Sequence, residues 1–156
     1  QHKLLSAEVL KTRKESGKRV TFYTCCGPER PNTFTFSPPA EAAYMGWHTV
    51  AAGYDGYLRW AYNSWVKNPL QDSRFRSWPS GDCFLVYPGG SSIRMQRLVQ
   101  GIQDFEKIRI LRGELKGAKL DKLNKAIETF RINKFNASNN AAEMIEAGET
   151  VIRSVE

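Results

Sequence analysis

Three short apolar runs that each stop at a turn, with helical patterns between them, constrain this chain more than any other feature. "RVTFYTCC" at 19–26 ends at Gly27-Pro28, where a central strand cannot continue. "GYLRWAY" at 56–62 follows Asp55 and runs into a long loop from Asn63 to Asp82, and "CFLVY" at 83–87 stops at Pro88-Gly89-Gly90. A helix opens the chain at 3–18, with Leu4, Leu5, Val9 and Leu10 at helical spacing and Gly17 as its stop. A Pro-, Asn- and Thr-rich loop from Glu29 to Pro39 leads into a second helix, "PAEAAYMGWHTVAA", entered through Pro38-Pro39. Ser91 or Ser92 caps a third, in which Met95, Leu98, Ile102, Phe105 and Ile108 form one face.

Parallel strands need crossover connections, and a helix is the usual crossover, so this alternation predicts an α/β fold of three parallel βα units. The remainder is helical. "LDKLNKAIETF" places Leu120, Leu123, Ile127 and Phe130 on one stripe, and "AAEMIEAGETVIRSV" does so with Met144, Val151 and Val155, across the polar linker "NKFNASNN". The expected division is residues 1–113 for the βα units and 114–156 for a helical extension packed on them. Three strands are too few to close a barrel of about eight. Together with a first residue that is Gln rather than Met, this points to a chain processed or cut from something longer.

The formal charge of +7 raises nucleic acid as a partner, but the basic residues lie at spacings of solvated helix faces with compensating Glu and Asp, so none is expected. No stretch approaches the roughly 20 apolar residues of a membrane-spanning helix. Three cysteines include the adjacent Cys25 and Cys26, a spacing of neither a zinc site nor an ordinary disulfide framework, and free thiols are the expected state. Neither His2 nor His48 shows a nucleophile or metal partner, so no metal and no cofactor is expected.

"GWHTVAAGYDGYLRWAYNSWVKNP", "SGDCFLVYPGG", "SSIRMQRLVQGIQDFEKIRIL" and "FYTCCGPERPNTF" together resemble the carboxyl-terminal part of the catalytic domain of glycoside hydrolase family 123, the β-N-acetylgalactosaminidases, over roughly residues 18–113. The resemblance implies a (β/α)8 barrel of which this chain holds the last three parallel strands and their helices, followed by two further helices. It implies hydrolysis of terminal N-acetylgalactosamine by substrate-assisted retention, with the sugar's acetamido oxygen as nucleophile and an adjacent Asp-Glu pair as catalytic carboxylates. No Asp-Glu dipeptide occurs here, and Asp104 and Glu106, two apart on a helix, point away from each other. No catalytic residue is therefore assigned to this chain, which is expected to be inactive alone. Its expected partners are a glycan or glycoconjugate substrate and the upstream barrel half, and an open sheet edge can also recruit a second copy as a homodimer. A secreted or periplasmic location accompanies such substrates.

A sugar presents an apolar C–H face that stacks on aromatic rings and hydroxyls that need amide or carboxylate partners. Trp60, Tyr62, Asn63 and Trp65, at the end of the second apolar run, supply both. Strand alternation puts Tyr57, Arg59, Ala61 and Asn63 on one face and Leu58, Trp60 and Tyr62 on the other, so Trp60 stands equally as core or as site, while Trp65, beyond the strand, is read as site-facing. Tyr87 is placed similarly before Pro88-Gly89. The resemblance puts Tyr23 and Asn32 on the active face, although a loop Asn also serves as a turn former. Asp82 reads as a turn residue, and Arg94 either reaches a ligand or pairs with a carboxylate. Two other function classes use the same features: a non-catalytic carbohydrate-binding module and a helical interaction domain.

Overall fold

Side-chain caps and glycines bound the helices where the local chemistry demands. In the computed structural model, which describes residues 4–74 and 77–156, α1 (Ala7–Glu15) starts at Ser6, whose hydroxyl accepts from Val9 N–H. It closes at Gly17, φ 67°, whose N–H donates to Lys14 C=O. His2 lies outside the described residues, as do Phe75 and Arg76 of the long loop. Helix α2 (Ala40–Ala52) begins after the two prolines and ends at Gly53, φ 72°. Ser92, not Ser91, caps α3 (Ile93–Glu114), accepting from Met95 N–H.

Every residue of α2, a largely apolar helix, is buried, and its polar Glu41 and Thr49 are buried with hydrogen-bond partners. Its partner α3 crosses at Gly46 and Gly101, where a Cβ on either glycine would overlap the other helix's backbone, Gly101 carbonyl on one side and Ala43 carbonyl on the other. Only glycine permits this approach. On the far side, α4 (Gly117–Ile127) and α5 (Ala141–Val155) add Leu123, Ile127, Ile145 and Ile152 to the core formed by Tyr44, Trp47 and Val50 of α2. Trp47 stacks on Phe130 at 4.4 Å and sits against Gly148. Ile102 of α3, expected on the buried face, is exposed, because the crossing glycine Gly101 rotates the contact toward Arg94, Leu98, Ile108 and Leu111.

The sheet is small and parallel: β1 (Thr21–Phe22) pairs with β2 (Gly56–Tyr57), Thr21 opposite Gly56 and Phe22 opposite Tyr57. The ladder is shorter than the apolar runs 19–26 and 56–62. Leu58 N–H still donates to Phe22 C=O, but the next carbonyl, Thr24, is taken by the Arg59 side chain, which ends the backbone pairing. The expected third parallel strand at 83–87 does not form. Phe84 instead makes an isolated antiparallel bridge with Asn63, and Tyr87 bridges Gly90 in a tight turn. Gly81 at φ 82° and Asp82 N–H donating to Pro79 C=O turn the chain just before this segment, which then pairs antiparallel with the tail of the second run rather than parallel to β2. The architecture is thus α/β, helices around a small parallel sheet. No helix among the described residues is long and apolar enough to cross a membrane.

Candidate functional site

Arg59 ties together the three segments that leave the sheet. Its guanidinium donates to Thr24 C=O at 2.6 Å and Thr24 Oγ1 at 3.3 Å, and to Asp82 C=O at 2.6 Å and Asp82 Oδ1 at 2.7 Å. The pair is desolvated, with 4% of the Arg59 side chain and none of the Asp82 side chain exposed. Thr24 Oγ1 also lies 2.7 Å from Tyr57 Oη. One cation thereby fixes the chain after β1, the chain after β2 and the turn before Cys83. The sequence carried a signal for it: a lone charge at an inward position of an aromatic run needs a partner. Asp82 is a turn residue through its backbone, but its carboxylate is that partner.

The candidate aromatics lie on the segments that this knot joins. Tyr23, Trp60, Tyr62 and Trp65 are exposed, from 39% for Trp65 to 54% for Tyr23, which places the Trp60 ring at the surface rather than in a core. Trp78 joins them, edge-to-face with Trp60 at 5.6 Å, and sequence reasoning passed it over because the long loop gives no periodicity to place it. Trp65 Nε1 donates to Val86 C=O at 2.7 Å, and Leu85 N–H donates to Tyr62 C=O at 2.8 Å. These bonds and the Asn63–Phe84 bridge bring Tyr62, Asn63 and Trp65 to the segment that leads into Tyr87. Tyr87 is half-buried, packed edge-on against Phe84.

Asn32 is placed differently. It is fully buried, its amide donating to Cys25 C=O and Pro28 C=O while its Oδ1 accepts from Thr33 N–H. Its own N–H donates to Glu41 Oε2, a buried carboxylate in the first turn of α2 that also takes Arg30 Nε at 2.6 Å. Every polar atom of the Asn32 side chain is engaged in holding the 25–33 loop.

Arg94 is also buried, and it pairs with carbonyls rather than with a carboxylate: Thr33 at 2.7 Å, Gly81 at 2.9 Å and Phe84 at 2.8 Å all accept from Nη1. Desolvation lowers its proton affinity, with Tyr87 and Arg59 as the nearest electrostatic influences. Asp104 takes the Trp47 indole N–H at 2.8 Å, and Glu106 pairs with Arg109 at 2.8 Å, so the two carboxylates serve different neighbours. His48 is buried on α2, its Nδ1 3.0 Å from Ile132 N–H. Among the described residues no three His, Cys, Asp or Glu side chains are grouped to hold a metal ion.

Set beside known proteins, residues 1–111 match the model of the glycoside hydrolase 123 catalytic domain. A solved family 123 glycoside hydrolase from Clostridium perfringens, studied for glycolipid glycan hydrolysis, superposes with a TM-score of 0.78 at 27% identity, covering 95% of this chain and 28% of that one. The chain thus spans little more than a quarter of that enzyme's length. No curated protein sequence matches the chain.

Proposed function

Because the chain belongs to the catalytic domains of glycoside hydrolase family 123, we propose that it forms the carboxyl-terminal βα units of a (β/α)8-barrel hydrolase that removes terminal β-linked N-acetylgalactosamine. The reaction is substrate-assisted retention: the acetamido oxygen of the sugar attacks the anomeric carbon, and the assisting carboxylate and the general acid come from outside these residues. This chain's contribution is binding. Exposed Trp60, Tyr62 and Trp65 offer ring faces to the apolar side of the sugar, and Asn63 and the Tyr23 and Tyr87 hydroxyls offer polar partners. Asn32 acts one step back, positioning the loop that follows Tyr23. The glycan chemistry of the Clostridium perfringens relative favours a glycoconjugate, encountered outside the cytoplasm, as the substrate.

The observation that carries this reading is the set of exposed indole and phenol rings on the segments that leave two parallel strands and are tied together by a buried ion pair, where α/β enzymes place their sites. In the full-length enzyme, Trp60→Ala and Trp65→Ala should each lower kcat/KM on an aryl N-acetylgalactosaminide by about fivefold or more, as expected for a lost ring contact of about 1 kcal/mol. Unchanged kcat/KM in both variants, with folding intact, overturns the assignment.

A further inference from the structure

Cys25 and Cys26 are free thiols on consecutive residues, and their sulfur atoms lie 3.6 Å apart. Consecutive side chains of an extended strand project to opposite sides. Here the chain bends as it leaves β1, and the two sulfurs meet. The backbone that brings them together is held at Cys25 and just before it: Arg59 donates to Thr24 C=O, Asn32 donates to Cys25 C=O at 2.8 Å, and Cys25 N–H donates to Gly27 C=O at 3.3 Å. Cys26 is exposed and Cys25 half-buried, so a reagent in solution can reach the pair. The third cysteine, Cys83, is buried, with 2% of its surface accessible.

We propose that Cys25 and Cys26 form an oxidisable vicinal dithiol, which a low-molecular-weight disulfide converts to an intramolecular Cys25–Cys26 disulfide. The Cys26 thiolate attacks one sulfur of the oxidant, forming a mixed disulfide and expelling the first small thiolate. The Cys25 thiolate then attacks Cys26 Sγ and expels the second. Two electrons pass from the protein to the oxidant, and the two protein protons end on the two released thiols. A partner sulfur 3.6 Å away makes the second step effectively unimolecular, so it outruns capture by another external thiol. Consecutive Cα atoms are only about 3.8 Å apart, below the span of about 4.4–6.8 Å that disulfides prefer, so the closed form is strained and easily reduced. It is a reversible state, not a structural link.

Trypsin separates the relevant sulfurs, because cleavage after Arg19 and Arg59, with Arg30 protected by Pro31, leaves Cys25 and Cys26 together on residues 20–59 without Cys83. Intact protein treated with oxidised glutathione should yield that peptide short of two hydrogens, closed to alkylation, free of glutathione and restored by dithiothreitol. In Cys25→Ser the attacking thiol lacks its partner, so a persistent glutathione adduct on Cys26 is expected. Stable glutathione adducts on the wild-type peptide, full alkylation of both thiols after treatment, or a crosslink between chains would each overturn the proposal.

Discussion

Asp82→Asn tests the knot that ties together the segments carrying the candidate sugar contacts. The substitution preserves shape and an acceptor for Arg59 Nη2, and it leaves untouched the bonds from Arg59 to Thr24 C=O, Thr24 Oγ1 and Asp82 C=O. What it removes is the negative charge 2.7 Å from a guanidinium that is 4% exposed. An uncompensated buried charge costs about 3–5 kcal/mol, whereas an exposed pair of the same geometry is worth under about 1 kcal/mol. The retained hydrogen bonds place Asp82→Asn at the lower end, about 3 kcal/mol, and Asp82→Ala above it. At about 2–4 °C per kcal/mol for a chain of this size, the melting temperature of Asp82→Asn should fall by ~10 °C, with a matching loss in urea unfolding. Arg59→Met, which strands the buried carboxylate, should cost a similar amount. The Arg59→Met/Asp82→Leu double variant should cost clearly less than the sum, because neither charge is left alone. Recovery will be partial, since the Thr24 and Asp82 carbonyls lose their donor. A cost below about 1 kcal/mol for Asp82→Asn, or strict additivity in the cycle, refutes the reasoning.

Gly101→Ala forces a methyl group into the Ala43 carbonyl and should destabilise by about 3 kcal/mol or more, while Gly113→Ala on the same helix, with nothing within 4 Å, should stabilise by about 1 kcal/mol; equal effects in denaturant titrations would contradict the crossing geometry. Tyr44 is fully buried between Phe130 and Phe135, its hydroxyl has no hydrogen-bond partner among the described residues, and desolvation pushes its phenol well above the ordinary range. Tyr44→Phe should therefore be neutral or stabilising by up to about 1 kcal/mol, and a clear loss of stability would reveal a missed partner. Burial raises the Asp104 carboxyl above its usual 3.8, partly countered by the Trp47 N–H, with Glu149 adding to the rise and Lys107 opposing it. The folded state thus holds that proton more tightly than the unfolded chain, so this group favours folding below 3.8 and loses that contribution as pH rises through the raised value. Asp104→Asn should be the more stable protein at pH 7, with the difference vanishing in acid; thermal melts showing the reverse order would sink this sign.

Local chemistry was legible from one sequence. The prolines before α2, the serine cap of α3 and the glycine stop at 17 lie within a turn of what they satisfy, so their residue types are enough to place those element ends, whereas the apolar spacing of Leu4 and Leu5 points to an earlier start for α1 than its cap Ser6 sets. The family resemblance was legible too, because its motifs run in order along the chain, whereas strand alternation leaves the exposure of Trp60 open between core and surface. The extent of the sheet was not legible. Whether Thr24 C=O meets a backbone N–H or the Arg59 guanidinium, 35 residues away, depends on where two loops arrive, and no periodicity encodes that. The same holds for Cys83–Tyr87, apolar enough for a strand yet antiparallel in its bridges to Asn63 and Gly90, and for Asn32, which looks like a ligand-facing amide until the carbonyls of Cys25 and Pro28 are found against it. Residue types and their spacing determined which segments coil, but they left Trp60 standing equally as core or as site and read Cys83–Tyr87 as a strand that does not form. The tertiary structure decided which polar atoms meet, because a buried hydrogen bond or ion pair is chosen by proximity in space, and proximity across 23 positions, as between Arg59 and Asp82, is set by where the packed chain brings both segments.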